Sequence, residues 1–335
     1  MQADRDNRLG RTGQPSLFDR LDWAEHLHRL CLPDRKPALY SASANEAGHP
    51  GTAWLFLMGN GPMRLAAFAN WYNFSFRPVF HNGITETHKL ALLAQIARKV
   101  SRKAHRVTLS PLPDEDQSAS LVERAFWQAG WVVYRRVCDQ NHILSVRNRT
   151  FDEYWQSRPG QLRSTVRRKS KNSDVALRIE TQFSDGAWKD YESVYAKSWK
   201  PEEGNPDFLK HLAQQEGKAG CLRLGLAYVE GKAVAAQFWT VENGVALIHK
   251  LAHDESAIKA SPGTLLSAAL FQHVIDQDKV RQIDFGTGND RYKSDWMEEV
   301  RDRYELDMFW PHNPLSWPYI ARNWLGELVA RHRNR

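Results

Sequence analysis

Residues 246–275 read "ALIHKLAHDESAIKASPGTLLSAALFQHVI": an apolar run, a short polar loop, then Ser261, Pro262, Gly263 and Thr264 opening a second apolar run. Lys259 stands just before them. A helix that starts here exposes unpaired backbone N–H groups at the positive end of its macrodipole. Proline suits the first turn, and glycine lacks the Cβ that would hold a ligand away. Such an end can receive a phosphate. It can equally be a well-capped helix with no ligand. The same stretch carries His249 and His253, which strand alternation predicts on one face of a sheet. Histidine titrates near neutral pH and can accept a proton, although a lone sheet histidine is often structural.

Two other stretches carry chemistry. "RSTVRRKSKN" holds Arg163, Arg167, Arg168, Lys169 and Lys171 without one acid. On a helix Arg163, Arg167 and Lys171 recur at four-residue intervals and form one stripe. The stripe suits an anionic acceptor, a cofactor phosphate or RNA, or is a solvated charged face. "YAKSWKPEEGNPDF" sets Tyr195, Trp199 and Lys200 ahead of a Pro/Gly-rich loop. That is an aromatic platform for sugar or amide groups, unless Trp199 is a core residue.

These residues need elements to position them. Period and turn signals predict three successive strands, "LRLGLAYV", "AVAAQFWTV" and "VALIHKLAH", joined by the short turns "EGK" and "ENG". A helix over 263–277 follows, with Leu266, Leu270 and Val274 on one face, then a strand "VRQIDFGTG" and a helix in "NDRYKSDWM". Upstream, "AWKDYESVYAKSWK" and "DFLKHLAQQ" read as helices, and residues 149–172 as a boundary element. The first half also alternates helices with strands, around an aromatic, loop-like "NWYNFSFRPVF". The whole predicts mixed α/β layers.

The composition is ordinary for a soluble globular protein: 335 residues, 42% hydrophobic and 25% charged. The polar N-terminus has no apolar core for a signal peptide, and no run reaches the length of a membrane span. Cys31, Cys138 and Cys221 lie far apart, without paired metal-ligand spacing, which points to a reducing cytoplasm and no bound metal. A net charge of +7 suits an anionic partner, or serves solubility alone.

The run "GKAVAAQFW…ALIHKLAHDE…SPGTLL…IDFGTGNDRYKSDW" resembles the GNAT acyltransferase superfamily. It is most similar to the branch associated with bacterial cellulose and exopolysaccharide biosynthesis, related to Fem-type peptidyltransferases. The resemblance is strong over about residues 150–310 and looser before. It implies tandem GNAT-like units, mixed α/β with mainly antiparallel sheets and flanking helices: a degenerate domain over 1–150 and an acyltransferase domain over 151–335. The usual Arg/Gln-x-x-Gly-x-Gly loop appears only as "KASPGT".

The resemblance also implies roles. The start of the helix would grip the pyrophosphate of acetyl-CoA or another acyl-CoA, with Lys259, Ser261, Gly263 and Thr264 as donors or space. Tyr292 would be the acid at the thioester sulfur, unless it is a packing aromatic. Lys293 would pair with Asp290, touch the cofactor or stand solvated at the surface. His249 is the candidate base, and Asp284 would orient the acceptor amine or be satisfied by local backbone. Acyl transfer by direct attack needs no covalent enzyme intermediate, and no Gly-x-Ser-x-Gly motif is present. Arg163, Arg167, Tyr195, Trp199 and Lys200 fall to the acceptor, a small amine or amino sugar of a polysaccharide or envelope pathway. A Fem-type transferase drawing on aminoacyl-tRNA, and a non-catalytic protein that binds RNA or a partner protein, are the rivals.

Overall fold

The computed structural model describes residues 7–333 apart from 47, 48, 82, 83 and 173, so the N-terminal stretch read above lies partly outside the described residues. Its contacts divide the chain into two units, Met1–Gln140 with Arg301–Arg335, and Asn141–Val300.

The first unit begins with α1 (Leu21–Cys31), β1 (Pro37–Glu46), β2 (His49–Gly59), β3 (Arg64–Ala67) and β4 (Val79–His81). It continues through α2 (Glu86–Ser101), β5 (Arg106–Leu112) and α3 (Ser118–Gln128), and the chain leaves it within β6 (Val132–Ser145). The second unit adds α4 (Phe151–Gln156), α5 (Gly160–Asn172), β7 (Ala176–Glu180), α6 (Asp185–Ala196) and α7 (Pro206–Lys218). Then come β8 (Leu222–Val229), β9 (Lys232–Glu242), β10 (Val245–His253), α8 (Pro262–Gln272) and β11 (Gln282–Thr287). The chain returns to the first unit within β12 (Glu299–Phe309) and ends in α9 (Trp317–Arg333).

Each unit is a mixed α/β layer with a mainly antiparallel sheet, as the sequence predicts. In the first unit the strand order is β1-β2-β3-β5-β12, with β4 also on β2. In the second it is β6-β11-β10-β9-β8-β7. Both contain one parallel pair bridged by a helix: β3 with β5 through α2, and β10 with β11 through α8. A parallel pair needs such a crossover.

Three differences from the sequence reading have physical causes. The last 35 residues group with the first unit because β12 pairs antiparallel with β5, Leu306 opposite Leu109 and Phe309 opposite Arg106. Tyr319 of α9 then stacks on Phe309 with ring centroids 5.8 Å apart. The boundary segment is two helices, the first closed by a capping box between Thr150 and Glu153. The expected helix after β11 is a single 3₁₀ turn, Arg291–Asp295.

The core of the second unit collects where its apolar periods meet. Leu266, Leu270 and Val274 are fully buried, with Trp239, Phe271 and Ile283 around them. Phe271 stacks on Tyr154 of α4 at 5.6 Å and on Trp296 at 4.9 Å. Leu162 and Val166 of α5 pack on the same cluster, which turns that helix's arginines outward.

Candidate functional site

The parallel pairing of β10 and β11 lasts only three residues: Val245 opposite Gln282, Ala246 opposite Ile283 and Leu247 opposite Asp284. Beyond these, β10 stays with β9 as far as His253, while β11 stays with β6 as far as Thr287. The two strands part and a wedge opens between them. Leu251 and His253 line it from β10, Phe285 from β11, and Gly263 and Thr264 from the start of α8. Tyr292 and Trp199 also face this cleft, whose volume is about 350 Å³.

A bulge at His249 sets the strand's faces. Trp239 pairs with Ile248 and Phe238 with Lys250, so His249 is the extra residue. Its ring stacks on Phe238 at 5.0 Å and its Nε2 meets Thr240 Oγ1 at 2.8 Å. Phe238 packs on Trp188 of α6, so His249 lies on the α6 face. His253 lies on the other face, where its Nδ1 is the nearest atom to a Cβ built on Gly263, at 3.5 Å. The expectation that the two histidines share a face is therefore corrected by one inserted residue. Burial, and then the neighbouring Lys250, push the His249 imidazole down to about 3. A group so weakly basic is poorly matched to taking a proton at neutral pH.

The start of α8 has the makings of an anion site. Ser261 is left-handed (φ 54°, ψ 43°), Pro262 is the first helical residue, and no side chain caps the end. The N–H groups of Gly263 and Thr264 are thereby left pointing out of the first turn. A Cβ on Gly263 would meet only ordinary contacts, so the fold itself does not require glycine there. The space is open for something else. Gln237 fixes the turn from below: its Nε2 donates to Gly263 O at 3.3 Å and to Ser267 Oγ at 2.7 Å. Its Oε1 accepts from Trp239 Nε1 at 3.0 Å. Sequence reasoning missed this residue, whose signal was a single amide in "AVAAQFWTV".

The structure separates the other expected residues. Tyr292 is in the cleft, its ring edge-on to Phe285 at 5.6 Å. Burial, and secondarily the Asp290 carboxylate, raise its pKa well above the ordinary phenol value. Lys293 is buried rather than solvated; its Nζ donates to the carbonyls of Thr287 (2.6 Å) and Gly288 (3.0 Å) and so shapes the turn that presents Tyr292. Asp284 is also buried and does not line the cleft. It accepts from Asn141 Nδ2 at 3.2 Å and from Gly286 N–H at 2.8 Å.

Lys259 is exposed, and its carbonyl accepts from Lys169 Nζ, which ties the basic helix α5 to the loop before α8. Arg163 and Arg167 border a groove on α5. Trp199 is 46% exposed, not a core residue, and rests on His253 at 4.3 Å. Tyr195 and Lys200 line a second cavity, on the α6 face. Among the described residues Glu216, Cys221 and Glu242 bring possible metal-ligand atoms within 4.8 Å of one another, and none of the three lines the cleft. No described helix is long and apolar enough to cross a membrane.

Residues 156–294 match the family described as Acetyltransferase (GNAT) domain. No curated protein sequence matches the chain. Among solved structures, FemX superimposes with a TM-score of 0.62 at 10% identity, over 87% of this chain and 92% of its own. The C-terminal domain of an Agrobacterium fabrum protein assigned as lysylphosphatidylglycerol synthetase gives 0.57 at 13% identity, over 88% of each chain. L-PGS from Bacillus licheniformis gives 0.53 at 16%, over 92% of each. At these identities the likeness is one of fold. The splayed parallel pair, the open helix start and the matched segment coincide: the second unit carries a GNAT-type acyltransferase domain.

Proposed function

We propose that the chain is an N-acyltransferase that moves an acyl group, acetyl in the first instance, from acyl-CoA to an amine acceptor by direct attack. The observation that carries this reading is the uncapped start of α8 at the mouth of the wedge, with room at Gly263. The N–H groups of Gly263 and Thr264 would hold the donor's diphosphate, with Ser261 and Lys259 beside them. Acyl-CoA supplies an activated thioester. The acceptor nitrogen attacks its carbonyl, the C–N bond forms and the C–S bond breaks. Tyr292, kept protonated by its surroundings, gives its proton to the departing thiolate. The nitrogen's proton leaves to water. His253, in the cleft, replaces His249 as the nearer titratable group. An amino-sugar acceptor in a polysaccharide or envelope pathway rests on the family resemblance alone, and a reducing cytoplasm suits both acyl-CoA and three free cysteines.

A second reading, a Fem-type transfer from aminoacyl-tRNA, is favoured by the extent of the FemX superposition and by the exposed arginines of α5. Stopped assays of CoA release separate the two. Acetyl-CoA with an amine panel is expected to liberate thiol, and Tyr292→Phe to abolish most of it. Thiol release that is absent with every amine, together with tight binding of charged tRNA, would favour the second reading.

A further inference from the structure

The last helix of the first unit leaves an apolar face uncovered. Tyr319, Ile320 and Asn323 form its half-buried side: Tyr319 stacks on Phe309, and Ile320 O accepts from Tyr134 Oη at 3.1 Å. Trp317, Ala321, Trp324 and Leu325 recur at the i, i+4, i+7, i+8 spacing of the opposite side. The two indoles are 60% and 58% exposed, and Leu325 is 55% exposed. Trp317 Nε1 already donates to Pro311 O at 2.9 Å, so what that ring offers outward is apolar. An outward face of this kind marks a contact surface.

Its surroundings are basic. On the side that carries Tyr319, the Arg106 guanidinium lies over that ring at 5.1 Å. Arg106 also lines a small cavity, about 200 Å³, together with Arg64, Arg136 and Glu305. Asp307 holds Arg106 through two bonds of 2.8 Å, and Glu305 holds Arg136. Arg64 has no carboxylate partner among the described residues. Arg322 is exposed and, at 100° per residue, falls between Leu325 and Tyr319, on the same flank. Residues 317–326 include no acid, and the sequence beyond has Glu327 against Arg331, Arg333 and Arg335. A second copy meeting this face through the same face would set arginine against arginine.

We propose that this face docks the protein on an anionic phospholipid surface, with α9 lying along the bilayer and a lipid phosphate received at Arg64. Indoles and leucine on one side of a helix, bordered by arginines, suit the boundary between headgroups and acyl chains. Arginine forks match phosphate oxygens, and the cavity, smaller than the usual pocket for a whole small molecule, suits a single headgroup. The inference concerns the first unit and stands apart from the acyl-transfer reading.

The test is co-sedimentation of the full chain with vesicles of phosphatidylcholine, alone or mixed equally with phosphatidylglycerol. The protein is expected to sediment with the mixed vesicles, to be released by high salt, and to stay in solution with phosphatidylcholine alone. Trp324→Ala with Leu325→Ala should lower binding about tenfold. Arg64→Gln with Arg322→Gln, neither in an ion pair among the described residues, should also lower it about tenfold. Melting curves check that both variants fold, and if the first does not, the arginine pair decides alone. Equal binding to the two vesicles, binding to neither, or binding that survives the arginine variant overturns the proposal. So does sn-glycerol 1-phosphate binding by calorimetry without vesicle binding, which would make the cavity a site for a free anion. A dimer in light scattering that Trp324→Ala dissociates would give the face to a second copy and overturn it as well.

Discussion

The two units share a strand order yet treat the same junction in opposite ways. In the first, α2 begins with Thr85, whose Oγ1 accepts from His88 N–H at 3.1 Å, and Glu86 sits in the first turn. That end is capped and carries a carboxylate where an anion would have to go. The gap beyond the short β3–β5 pairing is closed by the chain itself. Phe76 N–H donates to Pro111 O at 2.7 Å, and Tyr72, Phe74 and Phe76 are buried. In the second unit α8 has no cap and no acid in its first turn, and the gap beyond β10–β11 stays open. One architecture thus serves as a plugged support and, in its second copy, as a site.

Several changes would break or sharpen that contrast. The largest effect is expected at Tyr292. Tyr292→Phe should lower kcat by roughly 10²–10³, the usual weight of a general acid, and leave CoA affinity intact. Steady-state kinetics beside a CoA titration would show it, and unchanged turnover would remove Tyr292 from the reaction.

Next comes the helix start. Gly263→Val should weaken CoA on the order of 100-fold, about 2.7 kcal/mol, while stability does not fall, because valine is a better helix former than glycine and an added Cβ meets only ordinary contacts there. A variant that unfolds instead would show that the glycine serves the fold.

The pH dependence should also differ between units. In the first, burial outweighs Arg77 and lifts the Asp19 carboxyl to about 6. Its folded-state pKa is raised, so its contribution is present below about pH 4 and lost as pH rises through 6. Asp19→Asn should therefore raise Tm at pH 8 and do little at pH 4. In the second unit His249 is depressed to about 3. The unfolded chain binds that proton first, so stability falls as pH drops below 6.5. His249→Gln should flatten that limb. Melting curves at pH 4, 6 and 8 would test both, and parallel shifts in the two variants would contradict the assignment. The smallest effect is at the capped end: Thr85→Ala should cost about 1 kcal/mol of stability and nothing in CoA affinity.

Much of this was legible in the sequence because it is periodic or local. The meander from Leu222 to His253 and the helix opened by Pro262 and Gly263 follow from short turns and apolar spacing, and both stand in the structure. What stayed hidden depends on long-range pairing or on a single inserted residue. The placement of β12 on β5 joins Phe309 to Arg106, about 200 residues apart, and no local pattern reports it. The bulge at His249 moves that ring to the other face, which alternation alone assigns wrongly. Lys293 looked like a surface lysine in "NDRYKSDW" because its two acceptors are backbone carbonyls, which have no sequence signature.

The central claim is that the start of α8 holds a diphosphate. The most direct measurement is a pair of calorimetric titrations, with CoA and with pantetheine, which lacks the diphosphate. The account predicts that CoA binds, that pantetheine binds far more weakly, and that Gly263→Val brings CoA down to the level of pantetheine. Equal binding of the two ligands, or CoA affinity that survives Gly263→Val, would contradict it.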